Sequence, residues 1–181
     1  MPTGLHFLVT GYGFSEGGIA TDPSAVLQNP HLTVHGPVLG YGHTFGVAGK
    51  SAKFDVVLPW AFVSGSADLG GVRQERNISG MADPKVRVSV NFYGSPALTL
   101  KEFRGYRQDL IIGASLQVSL PFGQYDPERL VNIGTNRWAF KPEIGISKAW
   151  GPVTLDLAAA ATLFTTNTDF FGGKTREQDP V

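Results

Sequence analysis

Leu110–Pro121, LIIGASLQVSLP, decides how this chain is read. Leu110, Ile112, Ala114, Leu116, Val118 and Leu120 fall on one parity, and Ile111, Gly113, Ser115, Gln117 and Ser119 on the other. Alternation of this kind marks a strand with one apolar face and one polar or small face. It outruns the usual soluble strand of about 5–6 residues and matches the roughly 9–11 that a membrane-crossing strand needs.

Working outward, the same pattern recurs. Asp83–Tyr93, DPKVRVSVNFY, sets Val86, Val88, Val90 and Phe92 against Lys85, Arg87, Ser89, Asn91 and Tyr93. Asn136–Ala149 sets Trp138, Phe140, Pro142, Ile144 and Ile146 against Arg137, Lys141, Glu143 and Ser147. After a tight turn at Trp150–Pro152, Val153–Thr165 carries Val153, Leu155, Leu157, Ala159, Ala161 and Leu163 on one face. Upstream, Phe54, Val56, Leu58, Trp60 and Phe62 oppose Lys53, Asp55, Val57, Pro59 and Ala61. His31–Phe45 and Gly4–Phe14 read as two further strands, which makes seven.

The connections alternate in length. Ser15–Pro30, Ser64–Ala82, Phe122–Thr135 and the tail Thr166–Val181 are long and loop-like, whereas Gly46–Lys50 and Trp150–Pro152 are short. Outer-membrane barrels have short periplasmic turns and longer external loops. Only Gly94–Gln108, with an expected helical turn at Leu98–Phe103, is too long for its side. Trp60, Phe62, Phe92, Trp138, Phe140 and Trp150 lie near expected strand ends, as an aromatic girdle requires.

Composition narrows the function. The 181 residues suffice for one domain, 1–181. Fifteen basic residues balance fifteen acidic ones, so no nucleic-acid partner is expected. Without cysteine there is no disulfide, zinc-thiolate site or cysteine nucleophile. No run of apolar residues is long enough for a transmembrane helix. The N-terminus lacks the basic start and unbroken apolar run of a signal peptide. A closed bacterial barrel needs an even number of strands. Seven therefore points to a fragment of a longer barrel, without its signal peptide and C-terminal strands.

The fold expected is all-β: an antiparallel up-and-down transmembrane β-barrel, incomplete here. Its lumen would be lined by Lys53, Asp55, Lys85, Arg87, Asn91, Gln117, Arg137, Lys141, Glu143 and Asp156. No catalytic residue, metal site or cofactor is expected. Gly49-Lys50-Ser51 lacks the glycine a phosphate-binding loop needs at position 44, which is Thr44. His31, His35 and His43 share a parity, but positions four apart on a strand are about 13 Å apart, too far for one metal. Asn77-Ile78-Ser79 is too short a pattern to carry weight. Glu143 and Asp156 lie on adjacent strands, yet Lys141 beside Glu143 favours an ion-paired wall over a carboxylate pair.

The segments VLGYGHTF, KFDVVLPWAF, GMADPKVRVSVNFYGSPALTLKEF and GASLQVSLPFGQYDPERLVNIGTNRWAFKPEIGISKAWGP, ending in FFGGKTREQDP, resemble one family. It is the bacterial outer-membrane barrel family of the MetA-pathway of phenol degradation, often labelled transporters. GLHFLVTGYGF resembles its first strand. The resemblance implies an outer-membrane location and a passive channel or transporter for small hydrophobic or aromatic compounds. It implies the lipid bilayer and the outer-membrane assembly machinery as partners, and no catalytic residues. Two rivals remain at this point: a barrel used as an envelope hydrolase, and a soluble β-sandwich or ligand-binding barrel.

Overall fold

The structure is a computed structural model that describes residues 1–18, 27–129 and 131–181. Its main sheet is antiparallel throughout, with strands in the order β1-β2-β3-β5-β6-β7-β8. These are β1 (His6–Gly18), β2 (Leu27–Val47), β3 (Lys50–Leu69), β5 (Lys85–Tyr93), β6 (Leu110–Ser119), β7 (Ala139–Trp150) and β8 (Val153–Ala160). Each pairs with the next in this order, as an up-and-down barrel wall requires. The seven form half of a barrel.

The expected polar connection Ser64–Ala82 is instead largely strand. β3 runs on to Leu69, and β4 (Val72–Met81) returns along it through a turn at Gly70–Gly71, both at positive φ. β4 pairs the upper part of β3 (Trp60–Leu69) and β5 the lower part (Ala52–Val57). Together they make one wall position broken at Ala82–Pro84, where Pro84 offers no N–H to the ladder. Trp60 and Phe62 therefore sit mid-strand, level with this break, and the strand continues for about 20 Å beyond Phe62 through Ser64, Ser66 and Asp68. Small and polar side chains hid this hairpin, because strand propensity there comes from pairing rather than composition.

Other boundaries shift less. β1 and β2 extend into the expected loop Ser15–Pro30, whose centre, 19–26, lies outside the described residues. The seventh strand ends at Ala160, and its expected remainder holds the short β9 (Leu163–Phe164), paired to β7. The tail is not all loop: β10 (Asn167–Phe170) and β11 (Lys174–Arg176) form a small separate hairpin. The helical turn α1 (Leu100–Phe103) falls inside its expected segment, with Thr99 and Glu102 making a capping box. Ala48 and Gly49, both at positive φ, close the β2–β3 hairpin, consistent with a type I′ turn.

The sheet is one layer thick. Val88, Leu116 and Ile144 are 44%, 47% and 53% exposed. Ser89, Ser115, Gln117 and Glu143, on the opposite parity, are half-buried on the other face. Among the described residues the buried hydrophobic core is Ala52 alone. A water-soluble sandwich would bury the apolar face between two sheets. Here that face is the more open one, which inverts the soluble pattern and rules out the sandwich.

Candidate functional site: the inner face

Parity and register place nine of the ten expected residues on one face. Asp55 stands opposite Arg87, Arg87 opposite Gln117, and Gln117 opposite Lys141, a single row across four strands. The next row runs Lys53, Ser89, Ser115 and Glu143. Lys85 lies opposite Val57 and Ser119, and Asn91 opposite Gly113. Directly opposed side chains are close enough to interact, so the charges can pair in place.

Asp55 is the hub. Its Oδ2 lies 3.1 Å from Lys53 Nζ and 3.2 Å from Arg87 Nε, and its side chain is only 17% exposed. One carboxylate thus bridges two cations. Lys141 Nζ and Glu143 Oε2 are 3.9 Å apart along β7. Asn91 Nδ2 donates to Ser51 Oγ at 3.0 Å, and Ser51 shares a 2.8 Å hydrogen bond with Ser95 Oγ, both serines being buried. Gly113 makes room for this: a Cβ there would lie 2.4 Å from Asn91 Oδ1. Asp156, on β8, stands opposite Ser147 of β7. It is therefore four residues along the ladder from Glu143, about 13 Å, so the two carboxylates do not form a catalytic pair. Arg87, Asn91, Glu143 and Asp156 contribute to one open groove of about 350 Å³. Counted by charge along β3 and β5 to β8, the face holds Lys53, Lys85, Arg87 and Lys141 against Asp55, Glu143 and Asp156.

Arg137 is placed elsewhere. It precedes β7, is 7% exposed, and lies with its guanidinium 4.5 Å from the Phe164 ring while Nη2 donates to Gln178 Oε1. Burial holds its pKa below the usual guanidinium range, the nearby Arg176 adds to this, and Asp83 opposes it. Alternation alone assigned it to the open face, and the tail covers it.

The sequence reading missed the rim. Asp83, 8% exposed, accepts from Gly123 N (3.0 Å), Thr135 N (2.9 Å) and Thr135 Oγ1 (2.6 Å). Gln124 N donates to Met81 O at 2.8 Å, and a Cβ on Gly80 would meet Gln124 Cβ at 2.7 Å. Gly80 pairs Ala61 on the inner parity, so this loop folds against the inner face. Asn167, 2% exposed, donates to Tyr125 OH at 2.9 Å and accepts from Asn136 Nδ2 at 3.1 Å, tying the tail to the loop. The available signal was Asp83-Pro84, which interrupts the alternation, but partners 40 and 52 positions away are not legible from sequence.

The histidines lie on the outer parity. His6 and His43 stack at 4.3 Å, with His6 Nδ1 2.8 Å from Tyr41 OH, and His35 bonds Tyr12 OH. Among the described residues no three His, Cys, Asp or Glu side chains converge as a metal site.

This architecture is shared with known proteins. The family described as "Putative MetA-pathway of phenol degradation" matches residues 14–180. The chain belongs to that family. A solved structure, an outer membrane channel from Pseudomonas putida F1, superposes with a TM-score of 0.74 at 22% sequence identity. The match covers 99% of this chain and 64% of that channel, so this family member spans less than two thirds of the channel's length. No curated protein matches the chain.

Proposed function

We propose that this family member forms part of the wall of an outer-membrane channel or transporter that passes small hydrophobic or aromatic compounds. One observation carries the reading. In a single-layer sheet, the exposed face is apolar and the recessed face is a register-matched row of charge and amide. Hydrocarbon suits the first face and water the second, and a closed antiparallel wall is the way a sheet satisfies its backbone in lipid. β5, β6, β7 and β8, at 9, 10, 12 and 8 residues, fit a membrane crossing.

Orientation follows from connection length. The turns at Ala48–Gly49 and Gly151–Pro152 mark the periplasmic rim, and the β3–β4 hairpin, the loop after β6 and the tail mark the exterior. The bilayer and the outer-membrane assembly machinery are the partners this placement requires. Lys85, Arg87, Gln117 and Lys141 hydrate the passage and bias it by charge. The apolar cargo is supported by the family's description, phenol degradation, and by the mixed polarity of the inner wall. The reading assigns no catalytic residue, since Glu143 is engaged by Lys141 and stands apart from Asp156.

The test is ion selectivity of the protein in planar bilayers. Arg87→Glu combined with Lys141→Glu should shift the permeability ratio toward cations. Unaltered selectivity in a conducting double variant would contradict a lumen position for these residues.

A further inference from the structure

Beyond the level of Trp60 and Phe62, the extended β2–β3–β4 sheet and the loop after β6 enclose a second cavity of about 380 Å³. Its walls are unlike those of the charged groove. Leu32, Val63 and Ile78 line it from the inner parity of β2, β3 and β4, and Val131 and Phe171 line it from the loop and the tail. Gly65 opens the floor: a Cβ there would lie 3.0 Å from Leu32 Cδ1. Arg76 enters this apolar setting from β4, opposite Gly65.

Arg76 is half-buried and carries one unsatisfied buried atom. Its Nε is buried with no hydrogen-bond partner among the described residues, and no carboxylate there lies within 4.0 Å of its guanidinium. Burying an unpaired cationic donor is costly, and an anionic oxygen delivered by a ligand removes that cost. The other ionic groups at the rim are largely engaged. Glu75 lies 3.4 Å from Arg73, Arg129 lies 3.9 Å from Asp126, and His31 lies 3.6 Å from Glu16. Glu128 is the remaining acidic neighbour. Among the described residues, one cation without a carboxylate partner beside one acidic group suits a single negative charge and disfavours a dianion such as phosphate. The predominance of hydrocarbon in the walls selects against a small hydrated anion.

We propose that this cavity binds a small amphipathic organic monoanion, with its carboxylate on the Arg76 guanidinium and its hydrocarbon body between Val63, Ile78 and Phe171. A planar guanidinium grips a carboxylate through paired N–H donors, which orients the body into the pocket. The proposal rests on the channel reading for its biological sense, because the cavity stands at the outer mouth, where a solute would be captured before entering the charged wall. Its geometry does not depend on conduction.

The experiment is calorimetric titration of the detergent-purified protein with benzoate, and with acetate and benzyl alcohol as partial probes. Benzoate should bind at one site. Acetate, which lacks the body, and benzyl alcohol, which lacks the charge, should each bind at least about tenfold more weakly. Arg76→Gln should weaken benzoate about tenfold or more, and Arg76→Lys less. Phe171→Ala, in the tail and outside the main sheet, should weaken benzoate severalfold, and it decides the matter if Arg76→Gln fails to show heat-modifiable migration. Unchanged benzoate affinity in folded Arg76→Gln, or in Phe171→Ala, overturns the proposal, as does equal affinity for acetate and benzoate. Conductance measured in parallel keeps the two ideas apart. A conducting protein with Arg76-independent benzoate binding loses the pocket and keeps the channel. A non-conducting one with Arg76-dependent binding does the reverse.

Discussion

The inner surface is two different walls. Along β5, β6 and β7 it presents Lys85, Arg87, Gln117, Lys141 and Glu143. Along β1 and β2 the same face presents Phe7, Val9, Val38, Gly40 and Gly42, and mid-β3 adds Val57, Pro59 and Ala61. The seam lies at Gly42, where an added Cβ would be 3.0 Å from Asp55 Oδ1 and 3.8 Å from the Phe7 ring. The outer face draws no such distinction: Leu8, Leu39, Leu58, Val88, Leu116 and Ile144 are all exposed and apolar. The difference teaches which face is free to vary. Hydrocarbon favours apolar side chains, so the outside is mostly of one kind, the histidines of β1 and β2 being the exceptions. The inside answers to its contents, so its change from apolar to charged is where function is written.

That contrast can be broken or sharpened by substitution. The largest effect should come from violating the outer face. Leu116→Arg places a cation against acyl chains and should cost about 2–4 kcal/mol of folding free energy in lipid. Ser115→Arg, one residue away on the inner face, should cost less than about 1 kcal/mol. Urea titrations in vesicles, followed by gel migration, measure both, and equal losses would erase the distinction between the faces.

Next comes the hub of the charged wall. Asp55→Ala leaves Lys53 and Arg87 as neighbouring unpaired cations. Both cations keep partial access to water, so roughly 1–2 kcal/mol is expected. Val57→Ala, on the apolar stretch of the same strand, should cost less than about 1 kcal/mol because its side chain is only half-buried. Tryptophan fluorescence during unfolding reports both. Equal costs would mean the charges on this wall do not act together.

The smallest effect lies at the end of the sheet that carries the Ala48–Gly49 turn, outside either wall. Hydrogen bonds from Thr99 hold the Glu102 carboxyl below its ordinary value of 4.5. A depressed folded-state pKa stabilises α1 above the unfolded value, and that support disappears as pH falls through the folded one. Amide exchange across Leu100–Phe103 should therefore quicken as pH falls below that ordinary value, beyond the intrinsic trend. Thr99→Ala should abolish this pH dependence.

Much of the wall was legible because a membrane strand states its two environments residue by residue. The alternation in Asp83–Tyr93 and Leu110–Pro121 placed Arg87, Gln117 and their neighbours on one face before any pairing was known. Where that signal failed, the cause is specific. β4 carries polar residues on both parities, since its strand stands beyond the apolar band and answers to water on either side. Arg137 obeys the alternation, yet Phe164 and Gln178 close over it, and nothing local announces them. Arg76 gave no signal at all, because its isolation is a property of what surrounds it.

By itself, then, the order of residues determined that this protein is a ribbon of antiparallel strands with an oily and a wet side, which way its seven alternating strands face, and the family it belongs to. Only the tertiary structure decided that Asp55 joins two cations, that the loop after β6 leans on Gly80, and that Arg76 has no carboxylate partner among the described residues that line its pocket. Facing is set by each residue's own transfer preference, which acts locally and repeats every second position. Pairing and isolation depend on register and on loops that return from far along the chain, and the alternation carries no trace of either.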